Sequence, residues 1–353
     1  GDMLQEMPHL KSFQDQYGKI SVKRLYCAVN VTEKSVFTLL YGLNGFHYEA
    51  FSKDSIQSIP LRILRQNQYN LIGFSASNLS AWNGAGFMTN QFDTFNEFVE
   101  FVPWVNDSIM VDSFIKQYGE RDKSKPHFYY VFLNSTHHNY YFPPQFEFYK
   151  PTMNEDYNHF LGDDSLALSK EKILNRYKNS VKYADYLIHK LTNVLARECM
   201  ADSLVLVITG DHGEEFWDYG LLGHGASNLY NCRTQVPLFY CAPNIEKQNL
   251  EISSHLQIFP TIFSNLGLKS YDDIFFDADP MSANSQHAVI IANDFHETGK
   301  ACVVDKLQKQ WVRVVYDSVL TTRTMTLNDA DTVECNSKEL VSVKKKLLTS
   351  IPR

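Results

Sequence analysis

The chain has 353 residues, 44% of them hydrophobic, with 20 Tyr and 24 Phe, so it can bury a large core and is neither disordered nor low-complexity. Its formal net charge of −7, with the basic residues dispersed, excludes nucleic-acid binding as the main role. No run of about 18 apolar residues is present, which excludes a membrane span within this chain, and the polar start Gly1-Asp-Met-Leu4 lacks a signal-peptide pattern.

Helix and strand patterns alternate through the first 270 residues. Met7 to Tyr17 reads as a short helix entered through Pro8, and Val31 to Leu43 as a helix with an apolar face of Val36, Leu39 and Leu40 that stops at Gly42. Asn70 to Ser75 and the β-prone Phe128 to Leu133 read as strands. Ser169 to Leu195 is the clearest helix, with Val181, Ala184, Ile188, Leu191 and Leu195 at three- and four-residue steps. Leu204 to Thr209 predicts a buried strand, Val236 to Cys241 another, and Ile258 to Leu266 a helix. Strands separated by helices imply an α/β fold with a mostly parallel sheet flanked by helices. After Gly267 the pattern changes. Ala288 to Ala292, Ala301 to Asp305, Trp311 to Tyr316 and Leu320 to Leu327 read as short antiparallel strands, and Lys338 to Ser350 as a basic surface helix. The expected division is therefore an α/β domain over 1–270 and a smaller C-terminal α+β subdomain over 271–353. The six cysteines form no Cys-x-x-Cys pair, which argues against a structural zinc site. Cys232 and Cys241 can either bridge a loop or lie buried and free.

The chemistry concentrates at predicted strand ends and helix starts. The strand 204–209 runs into Gly210-Asp211-His212-Gly213, and ligands of α/β proteins sit at the carboxyl ends of strands. Asp and neutral His both ligate divalent metals. Thirteen residues after Asp211 comes His224, held between Gly223 and Gly225. Thr32 opens a predicted helix. A hydroxyl there is most often a cap, but a helix N-terminus also gathers donors for an anion, and a metal can turn a hydroxyl into a nucleophile. His137 and His138 follow the strand 128–133. Adjacent histidines in an extended chain point opposite ways, so one of them at most serves a site. Asp185, on the long helix, reads as structural. One hydroxyl, one acid and several histidines suit metal-assisted attack on an anionic ester.

Val207-Ile-Thr-Gly-Asp-His-Gly213 with Gly223-His-Gly225 resembles the metal-site signature of the sulfatase-like branch of the alkaline phosphatase superfamily. Met7-Pro-His-Leu-Lys-Ser-Phe13, Arg176-Tyr-Lys-Asn-Ser-Val-Lys-Tyr-Ala-Asp185, Arg233-Thr-Gln-Val-Pro-Leu238 and Ser254-His-Leu-Gln-Ile-Phe-Pro-Thr261 resemble further segments of that branch, in the same order. Thr32-Glu-Lys-Ser35 lacks the Pro and Arg of the Cys/Ser-x-Pro-x-Arg motif that matures to formylglycine, which disfavours an ordinary sulfatase. Threonine there is similar to the lipoteichoic acid synthases, the phosphoethanolamine transferases and the YejM-type inner-membrane proteins. Ser135-Thr-His137, followed by Tyr140 and Pro143, resembles the substrate-histidine segment of that group and favours His137 over His138.

The resemblance implies a hydrolase or transferase acting on phosphate esters, less readily on sulfate esters. Thr32 would be nucleophile and metal ligand, Asp211 and His212 metal ligands, and His137 and His224 contacts to the ester oxygens. One divalent ion (zinc, manganese, magnesium or calcium) and a lipid-linked or glycan-linked anionic substrate follow from it. So does a periplasmic or other extracytoplasmic location, tethered by membrane helices upstream. A lipid-sensing domain of the YejM type is the alternative. The family's first strand ends in an acidic metal ligand within a pattern such as "(D/E)SxRxDML". Gly1-Asp-Met-Leu4 resembles the tail of that pattern, so the expectation is that this strand and its carboxylate precede Gly1, with Asp2 a weak substitute.

Overall fold

The computed structural model describes residues 3–82, 84–158, 166–200, 203–225, 230–268 and 280–282, and the backbone of five strands between His287 and Glu334. Asp2 and the expected helix Lys338 to Ser350 lie outside the described residues. The chain forms two compact units, neither of them continuous in sequence.

The first unit comprises residues 1–18, 61–204 and 215–223. Its sheet is parallel. Strand β2 (Asn70–Ser75) lies between β3 (Thr94–Glu97) and β4 (His127–Phe132). The aromatic residues supply its core: Phe74 of β2 meets Phe114 of the helix Pro103–Glu120 edge-on, with ring centroids 5.6 Å apart, and Phe114 meets Tyr129 of β4 at 5.3 Å. β4 pairs only with β2 among the described residues, and all six of its residues are half-buried. A strand edge of this apolar kind is a surface on which a further strand pairs.

Buried polar side chains on two helices hold the loops of this unit. The long helix runs from Lys170 to Met200, five residues beyond the expected end. Asn175 Nδ2 donates to the Pro151 carbonyl, and Asn179 accepts from the amides of Phe148 and Tyr149. Asp185 is structural, as expected. Its carboxylate accepts from the amides of His9 and Leu10 at 3.0 and 2.9 Å, the first-turn donors of the helix Pro8–Tyr17. That helix has no side-chain cap of its own, so a distant helix satisfies its orphan amides.

The loop that carries His137 is clamped at both ends. Asp107, fully buried on the helix Pro103–Glu120, accepts from the amides of Asn134 and Ser135 and from the Ser135 hydroxyl. Arg176 donates to the carbonyls of Asn139, Tyr140 and Met153. Tyr140 sits at φ 60°, a conformation disfavoured for a residue with a Cβ, and Arg176 binds its carbonyl. Residues 134–140 form turns rather than extended chain, so the alternation argument for the two histidines does not apply. Their rings lie side by side, centroids 4.4 Å apart.

The second unit comprises residues 19–60, 205–214 and 224–353. Strand β1 (Ile20–Tyr26) lies between β10 (Gln248–Ser254), parallel, and β8 (Gln235–Val236), antiparallel. Strand β5 (Leu206–Thr209) pairs antiparallel with β9 (Leu238–Cys241). Pro237, which has no amide hydrogen, separates β8 from β9 and splits the single strand expected over 236–241. β5 is half-buried, not buried, and pairs only with β9 among the described residues. Ile20, Leu25, Val236, Leu238, Tyr240, Leu250 and Ile258 pack as one core. Strands β1 and β10 have no counterpart among the expected elements. Lys23 and Arg24 dilute the apolar alternation of β1, and Glu251 of β10 pairs with both, at 3.3 and 2.8 Å. Cys27, Cys232 and Cys241 are not disulfide-bonded to one another, so the loop bridge between Cys232 and Cys241 does not form. Beyond residue 286, β11 (His287–Ala292), β12 (Lys300–Asp305), β13 (Gln310–Val315), β14 (Thr322–Thr326) and β15 (Thr332–Glu334) form an antiparallel sheet in sequence order.

Replacing Asp185 with Ala leaves two first-turn amides unsatisfied. Urea unfolding should show a loss of about 1–3 kcal/mol, and Asp185→Asn, which keeps one acceptor, a smaller loss. Burial raises the Asp107 carboxyl to about 7, against the hydrogen bonds from Ser135 and Asn134. A carboxyl raised in the fold holds its proton where the unfolded chain has released it. Stability conferred by the neutral form is thus full below about pH 4 and falls as pH rises toward about 7. Asp107→Asn should flatten the stability curve in that window, and an unchanged slope in denaturation measured from pH 4 to 8 would contradict this assignment.

Candidate metal and nucleophile centre

Three segments of the second unit meet at this centre. Helix Thr32–Tyr41 starts at Thr32, with Val31 rather than Thr32 at the N-cap and no side-chain cap bond. The Thr32 hydroxyl is therefore not a cap. Its Oγ1 lies 3.1 Å from His212 Nε2. Asp211 and His212 follow the carboxyl end of β5, as the strand-end reading expects. His212 Nε2 stands 3.3 Å from Asp211 Oδ2.

The protonation states follow from the surroundings. Burial alone would raise the Asp211 carboxyl. His212 and His224, with hydrogen bonds from the His212 amide and the Thr32 hydroxyl, outweigh burial and hold it below the usual carboxylate range. Burial pushes the His212 imidazole down despite the neighbouring carboxylate, so the ring is neutral near pH 7. Its Nδ1 lies 3.0 Å from the Gly213 carbonyl, which can only accept, so the ring proton is on Nδ1 and Nε2 carries a lone pair. A carboxylate oxygen and an imidazole lone pair thus face each other, with one hydroxyl proton between them. A divalent cation satisfies such a donor set of carboxylate, imidazole and hydroxyl. Among the described residues no third His, Cys, Asp or Glu joins Asp211 and His212 in a group of coordinating size.

Glycine is required after His212 and on both sides of His224. A Cβ on Gly213 would come within 2.2 Å of the Cys232 carbonyl oxygen, because the Gly213 amide donates to Arg233 across that approach. Gly223 and Gly225 adopt φ of 95° and 78°, which disfavour any side chain. Between them, His224 places its ring 4.0 Å from that of His212.

Two residues of the centre were not anticipated. Glu214 Oε2 lies 2.7 Å from His224 Nδ1, and both side chains are largely buried. Ten residues separate them in sequence, but strands β6 (Glu215–Phe216) and β7 (Leu222–Gly223) pair as a short hairpin, which returns the chain to the same place. Only that hairpin could have signalled the pair. His255 is fully buried, and desolvation pushes its imidazole down to about 4. Its Nδ1 lies 3.3 Å from Ser35 Oγ and its Nε2 3.3 Å from Thr209 Oγ1.

Thr32, Asp211, His212 and His224 therefore come together in one unit. His137 belongs to the other unit, where its Nδ1 approaches the His138 carbonyl at 2.9 Å and its ring lies 6.0 Å from Trp82.

The sulfatase family model matches residues 1–268. Phosphoethanolamine transferase EptA of Escherichia coli strain K12 is 32% identical over 105 residues, 29% of this chain and 18% of that protein. The lipoteichoic acid synthase-like protein YvgJ of Bacillus subtilis is 25% identical over 272 residues, 69% of this chain and 41% of that protein. The chain thus spans less than half the length of these two relatives. Among solved structures, the phosphonate monoester hydrolase of Agrobacterium radiobacter superposes with a TM-score of 0.70 at 13% identity, covering 98% of this chain and 90% of that one, which shows a shared fold. With the family model spanning most of its length, the chain belongs to the sulfatase family.

Proposed function

We propose that this chain is a metal-dependent hydrolase or transferase of phosphate esters, working through Thr32 as nucleophile. The observation that carries the reading is the convergence of the Thr32 hydroxyl, the ionised Asp211 carboxylate and the Nε2 lone pair of His212. Thr32, Asp211 and His212 would hold one divalent ion, and an imidazole among the ligands favours zinc or manganese over calcium. Such an ion, when bound, lowers the pKa of a hydroxyl and offsets the charge of an anionic ester. Thr32 Oγ would form a bond to phosphorus as the bond to the leaving alkoxide breaks. The alkoxide gains a proton, and Thr32 loses one. Water or an acceptor alcohol then bonds to phosphorus as the Oγ–P bond breaks, gives its proton back to Thr32, and leaves with the phosphoryl group. Glu214 pairs with His224 Nδ1 and so orients the ring, whose Nε2 would face an ester oxygen. For His137, the resemblance alone supports contact with the ester.

Threonine in place of a formylglycine precursor favours phosphate over sulfate, and so do the names of the two relatives, a phosphoethanolamine transferase and a lipoteichoic acid synthase-like protein. We place the chemistry within residues 1–270 and the work of the protein outside the cytoplasm. No helix among the described residues is long and apolar enough to cross a membrane.

With zinc or manganese supplied, the chain should cleave an activated aryl phosphodiester far faster than the matching aryl sulfate. Thr32→Ala should reduce turnover about 10³-fold or more without changing the melting temperature, and a chelator should abolish it reversibly. Unchanged turnover in Thr32→Ala would remove the covalent mechanism. A folded wild-type chain that takes up no metal would favour the lipid-sensing alternative.

A further inference from the structure

The Ser254-His255 motif lies apart from the proposed ligands, yet His255 is fully buried beside them. It occupies the carboxyl end of β10, where the chain turns toward the helix Ile258–Asn265. Its two ring nitrogens face two hydroxyls from two other segments: Ser35 Oγ, one turn along the helix from Thr32, and Thr209 Oγ1, at the end of β5. Each hydroxyl also reaches a main-chain carbonyl. Ser35 Oγ donates to the Asp211 carbonyl at 2.5 Å, and Thr209 Oγ1 to the Pro237 carbonyl at 2.8 Å. The neutral ring has a single N–H, so Nδ1–H donates to Ser35 Oγ, and Nε2 faces Thr209 Oγ1 as an acceptor.

We propose that His255 is a positioning residue for the Thr32 nucleophile, acting through Ser35 and Thr209. The inference rests on the reading of Thr32, Asp211 and His212 as the working centre. Ser35 and Thr32 ride on one rigid helix, so the bond from Ser35 to the Asp211 carbonyl sets how far the Thr32 hydroxyl stands from the Asp211 and His212 side chains. His255 in turn fixes Ser35, and Thr209 fixes the strand end from which Asp211 projects. Partners that orient ligands in this way typically change metal affinity or activity by about 10- to 100-fold when removed.

The test compares wild type with His255→Ala, His255→Asn, His255→Gln and Ser35→Ala. It measures zinc affinity by titration, kcat and KM on an aryl phosphodiester, and amide hydrogen exchange over residues 209–213. His255→Ala should weaken zinc binding about tenfold or more and lower kcat while leaving KM within about twofold. His255→Asn, whose amide nitrogen takes the place of Nδ1 and can donate to Ser35, should recover most of the loss, and His255→Gln less. Ser35→Ala removes only a hydroxyl, keeps the experiment informative if His255→Ala fails to fold, and should reproduce the alanine phenotype. A folded His255→Ala or Ser35→Ala with wild-type zinc affinity and kcat would overturn the proposal, as would a His255→Asn no better than the alanine variant. If the wild-type chain binds no zinc, the reading of the centre fails. Hydrogen exchange then decides: faster exchange over 209–213 in Ser35→Ala supports the tie, and unchanged exchange overturns it.

Discussion

Two electron-rich atoms, His212 Nε2 and Asp211 Oδ2, stand 3.3 Å apart, with one threonine hydroxyl facing them. This is a costly arrangement for a folded chain, since acceptors facing each other in a largely buried place gain little without a cation or proton between them. Much of the second unit serves to impose it. The Gly213 carbonyl holds the ring proton on the far nitrogen, the Ser35 hydroxyl grips the Asp211 carbonyl, and the Gly213 amide pins the turn to Arg233. The cost is offset by the apolar core of β1, β8, β9 and β10.

The first unit solves a related problem by other means. Its loops are long and irregular, and a buried irregular backbone needs partners for its amides and carbonyls. Asp107 supplies acceptors at one end of the 134–140 loop and Arg176 donors at the other. Asn175, Asn179 and Asp185 do the same for the 148–151 segment and the helix Pro8–Tyr17. Within the Arg176 to Asp185 motif, the polar residues Arg176, Asn179 and Asp185 are thus anchors, and they explain why a helix with an apolar stripe carries so many buried polar side chains.

Local chemistry was legible where one segment carried it alone. Gly42 ends its helix in the left-handed conformation the sequence suggests, Pro8 opens another, and the glycines around His224 mark a backbone that a side chain would strain. The Asp211-His212 pair at a strand end and the Thr32 helix start were legible for the same reason. β1 and β10 were not, because their charged residues are neutralised only by each other across the pair. The extended geometry assumed for His137 and His138 failed because Asp107 and Arg176, distant in sequence, bend that loop into turns.

The sequence by itself determined the α/β pattern, the residue types suited to metal-assisted ester chemistry, and the places where glycine or proline must interrupt the chain. Those properties depend on neighbours within a few residues. Only the tertiary structure decided that Thr32 is not a cap, that Glu214 is the partner of His224, and that His255 backs Ser35 and Thr209. Each of these turns on a hydrogen bond between segments 10 to 220 residues apart, and such a bond is specified by how strands and helices pack, not by any local pattern.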